Sequence, residues 1–276
     1  MTAALLLALG ASLAWGVADF VGPWQGRALG TLRVMLWAQL GGIALLAIVV
    51  AARGHGQHSW GVLWAIPAAL SGTLGLYAYY RGMLTGTMAV VAPIAGASAI
   101  VPVVFGIATG DRPRSVQLAG IGAAIVGVAL ASREQQEGGR RIAAGAGLAL
   151  LAAIGFGFYF PPMHAAGVAD PWWGSLVFRL TAGAIVLAAV AVRRPTVRLS
   201  GWSLAVVVGV GCGDTLGNLL FAASSGHGIV SLTSVLASLY PIVTVALAAV
   251  VLKERLARTQ LAGVVLTLAG VGLISA

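Results

Sequence analysis

Long apolar runs constrain this chain more than any other feature. The sequence of 276 residues contains ten apolar stretches, and a helix of about 20 such residues crosses the roughly 30 Å hydrocarbon core of a bilayer. The predicted spans cover approximately residues 2–22, 32–52, 60–81, 86–109, 115–132, 142–163, 172–192, 202–224, 228–251 and 258–275. They use most of the chain and leave no separate soluble domain, so we expect an all-α integral membrane protein whose function lies inside the membrane.

The composition agrees with this fold class. The chain is 59% hydrophobic and 8% charged, whereas soluble domains carry about 25% charged residues. The net charge of +9 does not indicate a nucleic-acid partner, because the basic residues are scattered over short loops between the spans. A single cysteine, Cys212, excludes an internal disulfide.

Three pairs of segments indicate that the chain is an internal duplication. Residues 117–120 match residues 260–263, an offset of 260 − 117 = 143. Residues 73–75 match residues 215–217 at an offset of 142, and Trp15-Gly16 matches Phe156-Gly157 more weakly at 141. Since the three pairs keep one order and nearly one offset, we predict two repeats, residues 1–135 and 136–276.

The number of spans in each repeat determines their relative orientation. Each half holds five predicted spans, and because five is odd, the second half enters the membrane from the opposite side. We therefore predict ten transmembrane helices arranged as two inverted five-helix repeats. This architecture is typical of secondary transporters, which hold substrate near the midplane between the repeats.

The loop charges give an orientation. With the N-terminus in the cytoplasm, the cytoplasmic loops would hold three basic residues and the outer loops twelve. The positive-inside rule favours the reverse, with both termini outside, although the first half alone is balanced. We expect a multi-pass protein of the cell inner (plasma) membrane.

Ionisable residues inside a span cost about 2.5–3.5 kcal/mol each and are functional candidates. Asp214 lies near the middle of the eighth span, and Arg179 lies well inside the seventh. Asp214 either pairs with Arg179 to lock two helices or takes part in substrate or proton binding, while Arg179 is either an internal counter-ion or a ligand for a carboxylate. Asp19, close to the end of the first predicted span, belongs either to the site or to the membrane interface.

Helical spacing groups other side chains with these charges. Trp15 and Asp19 share a face of the first span, as do Asp214, Asn218 and Phe221 in the eighth. Tyr79 is the repeat mate of Phe221, and aromatic residues cluster at 77–80 and 156–160, where they either line a cavity or face lipid. The candidate substrate-binding residues are Trp15, Asp19, Tyr77, Tyr79, Tyr159, Arg179, Asp214, Asn218 and Phe221. Of these, Trp15, Tyr77, Tyr79, Asn218 and Phe221 are predicted to face a central cavity.

Two segments resemble a known family. The sequence LAWGVADF at 13–20, and the stretch from Leu239 to Ile274 with its short link Lys253-Glu254-Arg255, are similar to the drug/metabolite transporter superfamily, in the branch with two EamA domains. Asp111 stands where glutamate is common in the first half. The resemblance implies ten transmembrane helices and transport of a small molecule, without naming the substrate.

The leading hypothesis is a secondary transporter, an exporter or exchanger that moves an amino acid or related amphipathic metabolite by alternating access. The alternatives are a channel or facilitative pore and an intramembrane enzyme. The enzyme is disfavoured because the sequence holds no His-x-x-x-His, Glu-x-x-His or Gly-x-Ser-x-Gly pattern. We therefore expect no catalytic residue, metal or cofactor, and a monomer or weak dimer in the lipid bilayer with a small-molecule substrate.

Overall fold

The chain folds as an assembly of apolar helices. A computed structural model describes residues 2–54, 56, 59–86, 88–108, 114–131, 139–225, 227, 230–253 and 258–274, and these residues form no strand. The helices are α1 (Thr2–Leu29), α2 (Thr31–Arg53), α3 (Ala65–Thr85), α4 (Met88–Gly96), α5 (Ile100–Ala108), α6 (Ser115–Ala131), α7 (Gly139–Ala169), α8 (Pro171–Arg193), α9 (Gly201–Ser225), α10 (Val230–Ala237), α11 (Tyr240–Leu247) and α12 (Arg258–Ile274). The predicted repeat boundary at residues 135 and 136 lies outside the described residues, as do Asp111, Glu254 and Arg255.

Six of these helices are long and apolar enough to cross a bilayer. They begin at Ala3, Thr31, Trp60, Gly145, Pro171 and Gly201, and shorter apolar helices cover Val90–Pro102, Tyr240–Leu252 and Leu261–Gly270. Large apolar side chains cover the outer surface: Leu6, Ile48 and Leu74 are all more than 60% exposed. Such a surface is suited to lipid, and the protein is a multi-pass membrane protein.

Several predicted spans differ from the observed helices; the sixth, for example, continues past its predicted end at residue 163 to Ala169. The first continues past its predicted end at residue 22, because α1 runs through Pro23 to Leu29. The fourth consists of α4 and α5, joined by a 3-10 turn at Ala97–Ala99. The ninth consists of α10 and α11, followed by a π-helical turn at Ala248–Leu252. The breaks, at 97–99 and 238–239, begin 238 − 97 = 141 residues apart, as expected of equivalent positions in two repeats.

The packing of the helices is symmetric on exchange of the two halves. In the first half α1, α3 and α4–α5 correspond to α7, α9 and α10–α11 in the second. Helix α1 packs on α9 and on α10–α11, and α7 correspondingly packs on α3 and on α4–α5. The equivalent helices α2 and α8 pack against each other, as do α6 and α12. The contacts between helices are therefore arranged as a duplication predicts.

Matching glycines show this symmetry at atomic scale. A Cβ atom placed on Gly16 would lie 2.5 Å from Cβ of Val243, and one placed on Gly157 would lie 2.5 Å from Cβ of Val101. The glycines are 157 − 16 = 141 residues apart and the valines 243 − 101 = 142. Each glycine lets its long helix approach a broken helix of the other half more closely than any side chain would permit.

A second matched pair joins α1 to α9 and α7 to α3. The Trp15 ring lies against Gly217, with Nε1 2.5 Å from the position a Cβ would take, and the Phe156 ring lies against Gly75 at 3.1 Å. These contacts place Trp15 and Phe156, which are repeat mates, on facing sides of the space between the halves.

Candidate functional site

A cavity of about 60 Å³, here called the central cavity, lies where the two halves meet. A cavity of this volume can hold a few water molecules in this conformation. Helices α1, α2 and α3 contribute from the first half and α7, α8, α9 and α11 from the second. Its lining residues are Trp15, Asp19, Gln39, Gly72, Thr73, Leu76, Phe156, Tyr159, Phe160, Phe178, Asp214, Asn218 and Tyr240.

An ion pair joins α8 to α9 at the polar side of the cavity. The Arg179 guanidinium donates through Nη2 to Oδ2 of Asp214 and through Nη1 to Oε1 of Gln39, the latter at 2.9 Å. Arg179 is 1% exposed, whereas the Asp214 side chain is 20% exposed and lines the cavity. Arg179 thus lies behind the cavity wall and fixes the carboxylate and the amide that form part of it.

Asn218 extends this polar surface by one turn of α9. Its Nδ2 donates to the backbone oxygen of Asp214 at 2.8 Å, and its Oδ1 accepts from the Tyr159 hydroxyl at 2.7 Å. Because its side-chain amide donates to a backbone oxygen of α9 and accepts from a hydroxyl of α7, Asn218 holds α7 against α9 in one register. The result is a continuous polar chain from Gln39 on α2 to Tyr159 on α7.

Asp19 stands apart from this chain of hydrogen bonds. It lies 29 − 19 = 10 residues before the end of α1, which places it within the span and not at its interfacial end. Its side chain is 6% exposed and lines the cavity, within electrostatic range of Asp214. In the described part of the chain no group forms a hydrogen bond with its carboxylate. A buried carboxylate without a partner is costly and marks a place where a ligand can bind.

Aromatic rings form the other wall of the cavity. The Trp15 ring centroid lies 5.9 Å from that of Tyr159 and 6.3 Å from that of Phe160, both in edge-to-face arrangements. Phe178 meets Tyr159 edge to face at 5.4 Å. These contacts hold the rings in place, and the rings add apolar surface to the cavity beside the polar groups of α9. The arrangement suits an amphipathic molecule, with a polar group at one end and an apolar part at the other.

The comparison that decides the family covers nearly the whole chain. The model of the EamA-like transporter family matches twice, over residues 2–133 and 143–276. The chain belongs to the EamA-like transporter family. The two tandem matches coincide with the two halves that exchange in the packing.

Solved structures share the EamA-family fold of this chain. Twenty-nine chains of solved structures match it. One, titled "Crystal structure of protein", superposes with a TM-score of 0.74 at 19% sequence identity and covers 99% of this chain and 96% of its own. At that identity the likeness establishes the fold alone. No curated protein matches the sequence significantly.

The EamA fold brings most of the predicted site residues together. Five of the nine line the central cavity, namely Trp15, Asp19, Tyr159, Asp214 and Asn218. Arg179, Tyr79 and Phe221 are buried in the layer behind it: Tyr79 packs on Phe156 with centroids 5.7 Å apart, and Phe221 packs on Trp15 at 6.1 Å. Tyr79 and Phe221 were predicted to face the cavity, but their side chains are buried one layer behind it and do not line it.

The prediction for Tyr77 was wrong. Its side chain is 39% exposed on the outer surface and does not line the cavity. Tyr77 is one position past Leu76, which does line it, and neighbouring residues of a helix point about 100° apart.

The candidate list missed eight of the thirteen lining residues, and three of them show what signal the sequence carried. Gln39 is a polar residue inside the second span, and the argument applied to the charged residues would have selected it. Phe156 is the repeat mate of Trp15. Tyr240 is the first residue of α11, and its position depends on the break in the ninth span, which the sequence did not predict. Among the described residues no cluster of three His, Cys, Asp or Glu could hold a metal ion.

Proposed function

We propose that this EamA-family protein is a secondary transporter that moves a small amphipathic metabolite across the cell inner (plasma) membrane by alternating access. The observation that carries the proposal is the central cavity itself. It lies between the two halves, both halves line it, and it combines carboxylates, amides and aromatic rings in a buried place. The substrate range includes amino acids and related compounds, and the protein acts as a monomer or weak dimer.

The exchange symmetry of the packing supports an alternating mechanism. Ten helices in two inverted repeats would give two conformations related by exchange of the halves. In one the cavity opens to one side of the membrane, and in the other to the opposite side. Contacts between glycines and bulky side chains, such as Gly16 with Val243 and Gly157 with Val101, would then tighten or loosen in turn.

A channel is the second candidate, and its permeation differs measurably from that of a transporter. A channel holds an open path through the membrane, so flux does not saturate at low concentration and is not stimulated by substrate on the far side. The small volume of the cavity and the bulky rings that line it favour the transporter.

The test begins with a thermal-shift screen of the detergent-purified protein against a metabolite panel, because a ligand that binds the folded state raises its apparent melting temperature. Each stabilising compound is then assayed for counterflow in reconstituted vesicles. We expect saturable uptake that is stimulated by the same compound inside the vesicle. Unsaturable flux without trans-stimulation would favour the channel, and no flux of any bound compound would contradict transport.

A further inference from the structure

Around the central cavity the described carboxylates outnumber the described cationic side chains. Asp19 and Asp214 both line it, whereas Arg179 is the one cationic side chain that the described residues place in contact with either carboxylate. Its guanidinium already donates through Nη1 and Nη2 to Gln39 and Asp214, its Nε is buried without a partner, and Arg179 does not itself line the cavity. With both acids ionised, one negative charge is left over, and it is centred on Asp19.

The backbone adds a second acceptor at the same residue. In an α-helix the carbonyl of Asp19 accepts from the N–H of residue 23, but residue 23 is proline and has no N–H. The Asp19 carbonyl therefore lacks its usual helical donor, and the Asp19 carboxylate lacks a donor too. Two acceptors without their usual donors at one residue leave room for a donor from outside the protein.

The surroundings of Asp19 favour a cation as that donor. Trp15 on the preceding turn of α1 and Tyr240 on α11 line the same cavity, and the faces of such rings attract ammonium groups. Tyr240 is 3% exposed, lies within electrostatic range of Asp19, and its hydroxyl has no hydrogen-bond partner among the described residues. Tyr79 and Tyr80, which also lie within electrostatic range of Asp19, are buried and carry no positive charge.

We propose that the Asp19 end of the central cavity binds the ammonium group of a small organic monocation whose flat apolar part lies among the aromatic rings. The proposal rests on the transport function and narrows its substrate class to amines. A free carboxylate on the substrate would meet Asp19 and Asp214, and no cationic side chain of the described residues lines the cavity to receive it. Amino acids should therefore bind less tightly than the corresponding amines.

Four compounds that share a phenyl ring separate the possibilities. Phenethylamine carries an ammonium group, 2-phenylethanol a hydroxyl, 3-phenylpropanoate a carboxylate, and phenylalanine both charges. Binding to the unmodified protein is measured by calorimetry in detergent. We expect phenethylamine to bind at least about tenfold more tightly than the other three, because a buried charge-assisted bond is worth that much in affinity. If phenethylamine binds no more tightly than 2-phenylethanol, the proposal is overturned.

Two variants with matched controls locate the site. Asp19→Asn should remove the tenfold preference for phenethylamine, while Asp170→Asn, the same change at the cap of α8 outside the cavity, should keep it. Tyr240→Phe should weaken phenethylamine about threefold without destabilising the empty protein, and Tyr77→Phe on the outer surface should change nothing. Unchanged phenethylamine affinity in both Asp19→Asn and Tyr240→Phe would overturn the assignment to this end of the cavity.

The same compounds keep this proposal distinct from the transport function. If another member of the series binds best and shows saturable counterflow, the protein is a transporter and the amine assignment is wrong. If phenethylamine binds through Asp19 but never exchanges across vesicles, the amine site stands and the transport function fails.

Discussion

Arg179 is the buried charge on which the polar wall of the cavity depends. It is 1% exposed and holds both Asp214 and Gln39. Arg179→Met would leave the Asp214 carboxylate without its counter-charge inside the membrane. Breaking a buried pair on one side costs about 3–5 kcal/mol, so we expect a clear fall in the apparent melting temperature in detergent.

The double variant Arg179→Met/Asp214→Leu removes both charges and should recover most of the lost stability. Arg193→Met, at the exposed end of the same helix, is the matched control and should be nearly neutral. If Arg179→Met melted at the temperature of the unmodified protein, the ion pair would have no structural role.

At the scale of helices, the matched close approaches make a paired prediction. Gly16→Ala and Gly157→Ala would each place a methyl group against a valine of a broken helix at an impossible distance. We expect each to lower stability by about 1–3 kcal/mol, since overpacking forces the helices apart. Gly209→Ala on α9, where no atom lies within 4 Å, should be neutral or stabilising by about 1 kcal/mol. A destabilised Gly16→Ala beside an unaffected Gly157→Ala would show that the two halves do not pack equivalently.

The positions of the helices could be predicted from the sequence, because a membrane span requires a long run of apolar residues and such runs are visible in the sequence itself. The breaks at 97–99 and 238–239 did not, because an apolar run looks the same whether its backbone is α-helical throughout or turns once in the middle. At Pro23 the sequence predicted a helix end where the structure has none. A proline ends most helices in water, but α1 continues through it, packed along α2, α9 and α11.

At the scale of the whole molecule, the site was predictable where the sequence carried an unusual residue and not where it carried an ordinary one. Asp19, Asp214 and Asn218 are rare residue types for a span, and the cavity contains all three. Phe160 and Phe178 are common in apolar helices, so only the packing distinguishes them from lipid-facing phenylalanine. Tyr77 and Tyr79 show the same limit, since a period of 3.6 residues assigns a face but not its depth.

The most direct test of the central claim blocks the cavity and measures transport. Gly72 lines the cavity, and a Cβ there would meet Cδ2 of Tyr159 at 3.3 Å, so Gly72→Leu should fill the space where substrate binds. Gly209→Leu places the same side chain on an exposed helix face. Both variants are purified, checked for a single folded species by size exclusion and thermal unfolding, and assayed for counterflow with a ligand from the thermal-shift screen. Transport through the cavity predicts that Gly72→Leu loses exchange and that Gly209→Leu keeps the rate of the unmodified protein. A folded Gly72→Leu protein that exchanges at that rate would contradict it.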